Sequence, residues 1–234
     1  KECAGGCKVS IQTSFPVSME LFTSYREIAT DQSKAGKVMR TILMRLGSEV
    51  YEQICLAAAS ADEDRGTAIY YVLHRAFGGG RCEKRVMEAL ADPYVSRVAK
   101  LALCVKREYH HYFGFVRFRE IGGRFLLAKI QPGNDILSLM ALHFSNRFPN
   151  ENWVIYDEKR QKALCHEKGK ECVMRKGVRI QVPGSAVGDM GEYEELWQTF
   201  CDSISIEARR NEKLQKQMLA LHFRSNMPEF SVKE

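Results

Sequence analysis

The chain has 234 residues, 45% of them hydrophobic, and 35 basic against 29 acidic side chains leave a net charge of +6 with histidines neutral. That size and apolar content suffice for one large core or two small ones and exclude overall disorder, while the positive excess attracts polyanions only where it is clustered. No apolar run approaches the roughly 20 residues needed to cross a bilayer and the start lacks the charged-then-apolar order of a signal peptide, so a cytoplasmic protein without a membrane partner is expected, its true start upstream of Lys1.

Residues 1–30 carry little signal: Val9–Gln12 reads as a short strand and Ser18–Ile28 as a helix capped at Ser18. From Asp31 the helical period is clear, with Val38, Ile42, Leu43 and Leu46 on one face and a stop at Gly47; a second helix, Ser48–Ala59, begins on a serine cap. An acidic turn, Asp62–Asp64, leads to a helix whose stripe is Ile69, Val72, Leu73 and Phe77, ended by Gly78, Gly79 and Gly80. No strand precedes these glycines and no Lys-Ser/Thr follows, so a helix stop is a stronger reading than a nucleotide loop. Asp92 and Pro93 open a long helix to about His111, with Val95, Val98, Leu101, Ala102 and Val105 inward.

The period then changes to two. Phe115, Arg117 and Arg119 alternate with Val116, Phe118 and Glu120; Gly122 and Gly123 turn; Phe125–Ile130 returns as the second strand. Pro132–Asp135 reads as a turn and cap before a helix carrying Ile136, Leu139, Met140, His143 and Phe144. A second hairpin pairs Trp153–Tyr156 with Ala163–His166, and Val178–Val182 is a further strand candidate. Tyr193 to about Arg224 reads as one or two helices, with Leu196, Trp197, Phe200 and Ile204 at core spacing. The whole is α+β: a poorly defined segment 1–30, then a single domain, 31–234, with a helical part (31–112) packed against a hairpin–helix–hairpin part (113–190) and C-terminal helices (191–230).

Eight cysteines scattered through a chain too large to need staples favour reduced thiols over a disulfide framework. Cys3 and Cys7 make at most half a metal site, and Cys165 and Cys172 lack ligand histidines at zinc-finger spacing, so no metal site is expected.

Val105–Glu120, VKREYHHYFGFVRFRE, joins cations (Lys106, Arg107, Arg117, Arg119) to histidines and aromatics. Cations neutralise phosphates and aromatic faces stack on bases or fill a core, so the segment has both chemistries of a nucleic-acid surface. FGFVRF, Phe113–Phe118, matches most of an RNA-recognition octamer, but a long helix leads into it and Tyr112 stands where that motif has glycine; coincidence is the stronger reading. Lys106, Arg107, His110, Arg117 and Arg119 are the nucleic-acid candidates, extended by Lys159 and Arg160 and by Arg209, Arg210 and Lys213. Candidate proton-transfer groups are Glu108, His110, His143 and Asp157; against them stand an ion pair for Glu108, a core histidine for His143 and an Asx turn for Asp157.

Five spaced blocks, EDRGTAIYYVLHRAFGGG, VKREYHHYFGFVRFRE, ILSLMALHF, NWVIYDEKR and ELWQTFCDSISIEARRNEKLQ, resemble a bacterial family of uncharacterised domains described in terms of DNA metabolism or repair, the likeness running from about Tyr25 to Phe230. Arg107, Glu108, His110, Gly114, Phe115, Arg117, Phe118, His143, Phe144, Trp153, Asp157, Arg160, Arg209, Asn211, Leu214 and Gln215 fall where the family has the same residue. Gln131, Gly133 and Asn134 replace its acidic and histidine-bearing turn, Tyr156 replaces a histidine, and Leu219, Ala220 and Arg224 replace a Met-Pro and aromatic cluster. The resemblance implies DNA as a partner together with a radical-SAM protein, and in some chains a uracil-DNA-glycosylase-like domain. The iron–sulfur cluster and SAM are expected on that partner, because this chain has no compact three-cysteine motif. A DNA-binding accessory of repair or base modification is the leading expectation; an enzyme acting on a nucleobase or sugar-phosphate and a protein-interaction scaffold are the alternatives.

Overall fold

A computed structural model describes residues 9–13, 18–19, 21–78, 85–123, 125–180, 196–197, 199–200, 203, 211–224 (the side chain of 222 excepted), 226–227 and 230. The chain divides into two compact units, Lys1–Arg107 and Glu108–Glu234, and the class is α+β.

In the first unit Asp31 starts α1 (Gln32–Leu46), its carboxylate accepting the Lys34 N–H at 3.0 Å, and Gly47, at φ +97°, ends it. A left-handed φ is one that glycine adopts without the Cβ penalty. Of the expected inner stripe Ile42 and Leu46 are buried, but Val38 and Leu43 are exposed. The next helix, α2 (Ser48–Ala59), has Gly47 rather than Ser48 at its cap position and no side-chain cap bond. After the acidic turn, where Asp62 accepts the Asp64 N–H, comes α3 (Arg65–Gly78), which buries Ala68, Val72 and Ala76 and leaves Ile69, Leu73 and Phe77 half-buried around them. Gly79 and Gly80 lie outside the described residues.

Residues 9–13 form no strand; Ile11 instead lies against α3, its N–H donating to the Thr67 hydroxyl at 2.9 Å and its side chain passing so close to Gly66 that a Cβ there would stand 2.9 Å away. The described part of 18–28 is not helical; apolar spacing alone failed there, since Leu21, Phe22 and Ile28 stay exposed instead of burying a common face.

Asp92 caps α4 (Pro93–Phe115) by accepting the Tyr94 and Val95 N–H groups at 2.8 and 3.2 Å, and Arg75 holds its other oxygen at 2.8 Å. Burial pushes the Asp92 carboxyl up, yet these donors together hold it below its usual range. Val95, Val98 and Leu101 close the first core, with Ile42, Ile54 and Val72 among its members.

The helix runs on to Phe115, beyond the expected end, because Tyr112 and Phe113 find partners in the second unit: Phe223 for Tyr112 at 4.8 Å, and His143 and Phe144 for Phe113. Phe113–Phe115 are therefore helical, not the strand that an RNA-recognition octamer requires, and the first strand shrinks to β1 (Arg119–Ile121). Gly122 and Gly123, at φ +59° and +63°, turn the chain into β2 (Phe125–Ile130). Then α5 (Leu137–Arg147) crosses to β3 (Trp153–Asp157), which is parallel to β2, and β4 (Lys162–His166) and β5 (Val173–Lys176) follow antiparallel, in the order β1-β2-β3-β4-β5. Asp135 does not cap α5, whose cap position is Ile136 without a side-chain bond; its carboxylate is held by Lys162 instead.

The fifth strand is Val173–Lys176, which Gly177, at φ +68°, ends; of the expected strand at 178–182, residues 178–180 are not a strand, the Val178 N–H turning to the Gln161 carbonyl and the Tyr156 hydroxyl donating to the Val178 carbonyl, and Gln181 and Val182 lie outside the described residues. Of the expected C-terminal helices, α6 (Glu212–Met218), capped by Asn211, and α7 (Leu221–Arg224) are described. Leu196, Trp197 and Phe200 are exposed rather than core, and Ile204 lies outside the described residues. Among the described residues no helix is long and apolar enough to cross a membrane.

Replacing Asp31 by alanine orphans the Lys34 N–H in the first turn of α1 and is expected to cost about 1 kcal/mol, the usual cap penalty; urea unfolding of D31A against wild type measures it, and an unchanged midpoint would show that the cap contributes nothing.

Candidate functional site

Three of the polar residues shared with the resembled family, Glu108, Asp157 and Arg160, meet at the turn between β2 and α5. Glu108, on α4, accepts three N–H donors from this turn: the Gly133 backbone at 2.6 Å, the Asn134 backbone at 3.0 Å and the Asn134 side chain at 2.6 Å. A methyl group on Gly133 would stand 3.2 Å from the Glu108 carboxylate, so glycine is what lets the backbone come this close. On the opposite side Arg160 donates to the Pro132 carbonyl at 2.9 Å and to the Gly133 carbonyl, and it pairs with Asp157 at 3.1 Å. Asp157 also accepts the Arg160 backbone N–H at 3.1 Å, which confirms the expected Asx-type turn.

The Asp157 side chain is 0% exposed and that of Arg160 18%, so their charges neutralise each other out of water. Tyr112 completes the cluster: burial first, then the Glu108 charge, push its phenol well above its usual range, and a backbone hydrogen bond at Gln131 opposes them. Glu108, Asp157 and Arg160 thus clamp a backbone turn, and both carboxylates are engaged by donors of the fold.

A second constellation lies where α4 meets α5. The Phe113 ring and the His143 imidazole stack 3.9 Å apart at 9°, His110 packs edge-on to Phe113, and His143 Nε2 is buried without a hydrogen-bond partner among the described residues. Burial, followed by the positive charges of Arg147 and His110, lowers the His143 pKa below its ordinary 6.5. Beneath it Phe118, Phe144, Phe148 and Trp153 form an aromatic cluster, and Trp153 stacks on His166 at 5.1 Å. Among the described residues no group of three or more His, Cys, Asp or Glu is placed to hold a metal ion. Cys55, Cys104, Cys165 and Cys172 are free thiols; Cys3, Cys7, Cys82 and Cys201 lie outside the described residues.

The cationic candidates separate into three groups. Lys106, Arg107 and His110 are exposed on α4, and neither Lys106 nor Arg107 has an ion pair among the described residues. Lys159 and Lys213 are likewise exposed, in the β3–β4 turn and on α6. Arg117 is folded onto the end of α4, donating to the Gly114 carbonyl at 2.8 Å with its guanidinium 5.9 Å from the Trp197 ring, while Arg119 is exposed on β1. Arg160 is internal to the clamp, and Arg209 and Arg210 lie outside the described residues. Sequence reasoning gave Tyr112 no role at the site, took Asn134 only as a departure from the family's turn and Asp135 as a helix cap, and did not foresee that Asn134 binds Glu108 or that Asp135 pairs with Lys162; only the pairing of distant segments brings them together.

Arg160→Ala strands a fully buried carboxylate, and removing one partner of such a pair costs on the order of 3–5 kcal/mol; thermal unfolding of R160A checks this, and a shift smaller than that of D31A would refute the clamp. For His143, a folded pKa below the unfolded one means that the unfolded state takes up the proton first. Stability is therefore expected to fall as pH drops through about 6.5, the ordinary value, and to be insensitive to this group above it. His143→Phe, which retains the stack, should flatten the stability difference between pH 8 and pH 5.5 in urea titrations; equal pH dependence in both proteins would disprove the assignment.

A search of the curated proteins found no match, and neither did a search of the solved structures. The profile of DUF4130, described as a domain of unknown function, matches residues 63–229, from the turn before α3 through the clamp, the sheet and the C-terminal segment. With well over half of its length inside that match, the chain belongs to the DUF4130 family.

Proposed function

We propose that this protein is a cytoplasmic nucleic-acid-binding component of DNA metabolism or repair that works beside a radical-SAM iron–sulfur protein, and in some settings beside a uracil-DNA-glycosylase-like domain. The observation that carries the binding role is on α4: Lys106 and Arg107 are exposed and have no ion pair among the described residues. Adjacent unpaired cations on a helix surface attract phosphate without reading sequence.

The commitment of Glu108 and Asp157 to backbone and arginine supports binding over proton transfer for these two groups. The partner rests on the family resemblance, with the cluster and SAM on that protein; retention of this chain on an immobilised radical-SAM partner tests it, and passage straight through would count against it.

Each cation that contacts a duplex phosphate adds about 0.9 to the slope of log affinity against log salt. K106A/R107A is therefore expected to reduce the slope by about 2 and to weaken binding evenly across oligonucleotide sequences. Anisotropy titrations between 50 and 200 mM salt, about the range where such contacts are released, measure this; an unaltered slope would remove α4 from the interface.

A further inference from the structure

At one end of the sheet in the second unit, register gathers a group of cations that their sequence positions separate. Lys162 stands opposite Lys176 and Ala163 opposite Arg175 across the β4–β5 ladder, and the Val178 N–H, bonded to the Gln161 carbonyl at 3.1 Å, folds the chain after β5 back beside the β3–β4 turn. Lys159 in that turn, Arg175 and Lys176 on β5, and Arg179 just after it are all exposed. The local carboxylates are engaged elsewhere: Asp157 with Arg160, Asp135 with Lys162, and Glu158 with Lys129 and Gln131. Lys159, Arg175, Lys176 and Arg179 have no ion pair among the described residues.

Like charges directly opposite on neighbouring strands, about 5 Å apart, repel. Asp135 relieves Lys162 of this, and Lys176 has no such relief. We infer that this corner is a phosphate-contacting surface, a second region that grips the nucleic-acid backbone; the inference rests on the nucleic-acid role proposed above and extends it to a site off α4. Arg175 and Lys176 point to opposite sides of β5, because successive strand residues alternate, so the cations flank an edge that pairs with no described strand on its outer side.

Protection of an edge against unwanted pairing accounts for a lysine on β5, but not for Lys159 and Arg179, which lie off the strand. An acidic peptide adding to the edge would need a longer one: β5 has four residues and Gly177 ends it. Phosphates, spaced about 3.4 Å in rise along each strand of a duplex, need only point charges within reach.

The test compares wild type with R175A/K176A/R179A, by anisotropy on labelled single- and double-stranded oligonucleotides across a salt series. The triple variant is expected to bind roughly tenfold or more weakly and to lose about 2–3 from the duplex salt slope, with an unchanged melting temperature. R175K/R179K, which keeps the charges, should keep the slope. A wild type that binds while the triple variant matches it in slope and affinity overturns this corner and leaves α4 standing. Failure of the wild type to bind any oligonucleotide defeats both proposals. Displacement of labelled DNA by polyglutamate as readily as by an oligonucleotide of equal charge would assign the corner to an acidic polypeptide and overturn the nucleic-acid inference.

Discussion

Between β2 and α5 the backbone turns through 131–136, and the N–H groups of Gly133 and Asn134 find their acceptor in the Glu108 carboxylate while the Pro132 and Gly133 carbonyls find their donor in Arg160. A turn held on its N–H side by an anion and on its C=O side by a cation cannot drift, because hydrogen bonds to charged groups are worth about 1.5–3 kcal/mol each. The last turns of α4, the exit of β2 and the β3–β4 turn are joined at this point. Asn134 and Asp157, two of the buried polar residues of the second unit, belong to this clamp; His166, a third, is held apart from it by the Glu151 carbonyl.

This arrangement divides the charged residues into two populations. Arg160 resembles its neighbour Lys159 in sequence, yet one is drawn inward by a buried carboxylate and the other stays in water. Arg117 resembles Arg107, yet its guanidinium lies back over the end of α4. What a cation does is decided by whether the fold gives it a carboxylate or a carbonyl within reach, so the interface argued for this protein rests on the residues that received neither.

Much of the fold was legible from local chemistry. The aspartates before α1 and α4, the glycine after α1 and the glycine pair between β1 and β2 mark boundaries because their effects act within a few residues. The extension of α4 to Phe115 was not legible, since the reward for staying helical comes from Phe223, His143 and Phe144, far along the chain. The same holds for the strand placed at 178–182: its apolar alternation is real, but Val178 and Ile180 use it to cover the sheet face around Tyr156 rather than to extend the ladder. The apolar residues of 196–200 misled for the opposite reason, having core spacing but no described core. At the site, the residue types were visible in advance and their partners were not. The Asx turn at Asp157 could be read locally; the Glu108 turn contact spans 25 residues and leaves no trace in the sequence around it.

Because β2 and β3 run in the same direction, Ile130 and Asp157 lie side by side, and the antiparallel return of β4 brings Lys162 to the same end. The opposite end holds Trp153 beside His166, with Phe118 and Phe148 around the indole. The sheet therefore has a charged end and an aromatic one. Exposed side chains at the charged end can change without disturbing the rings that consolidate the other, which separates the choice of what this unit touches from the question of whether it folds.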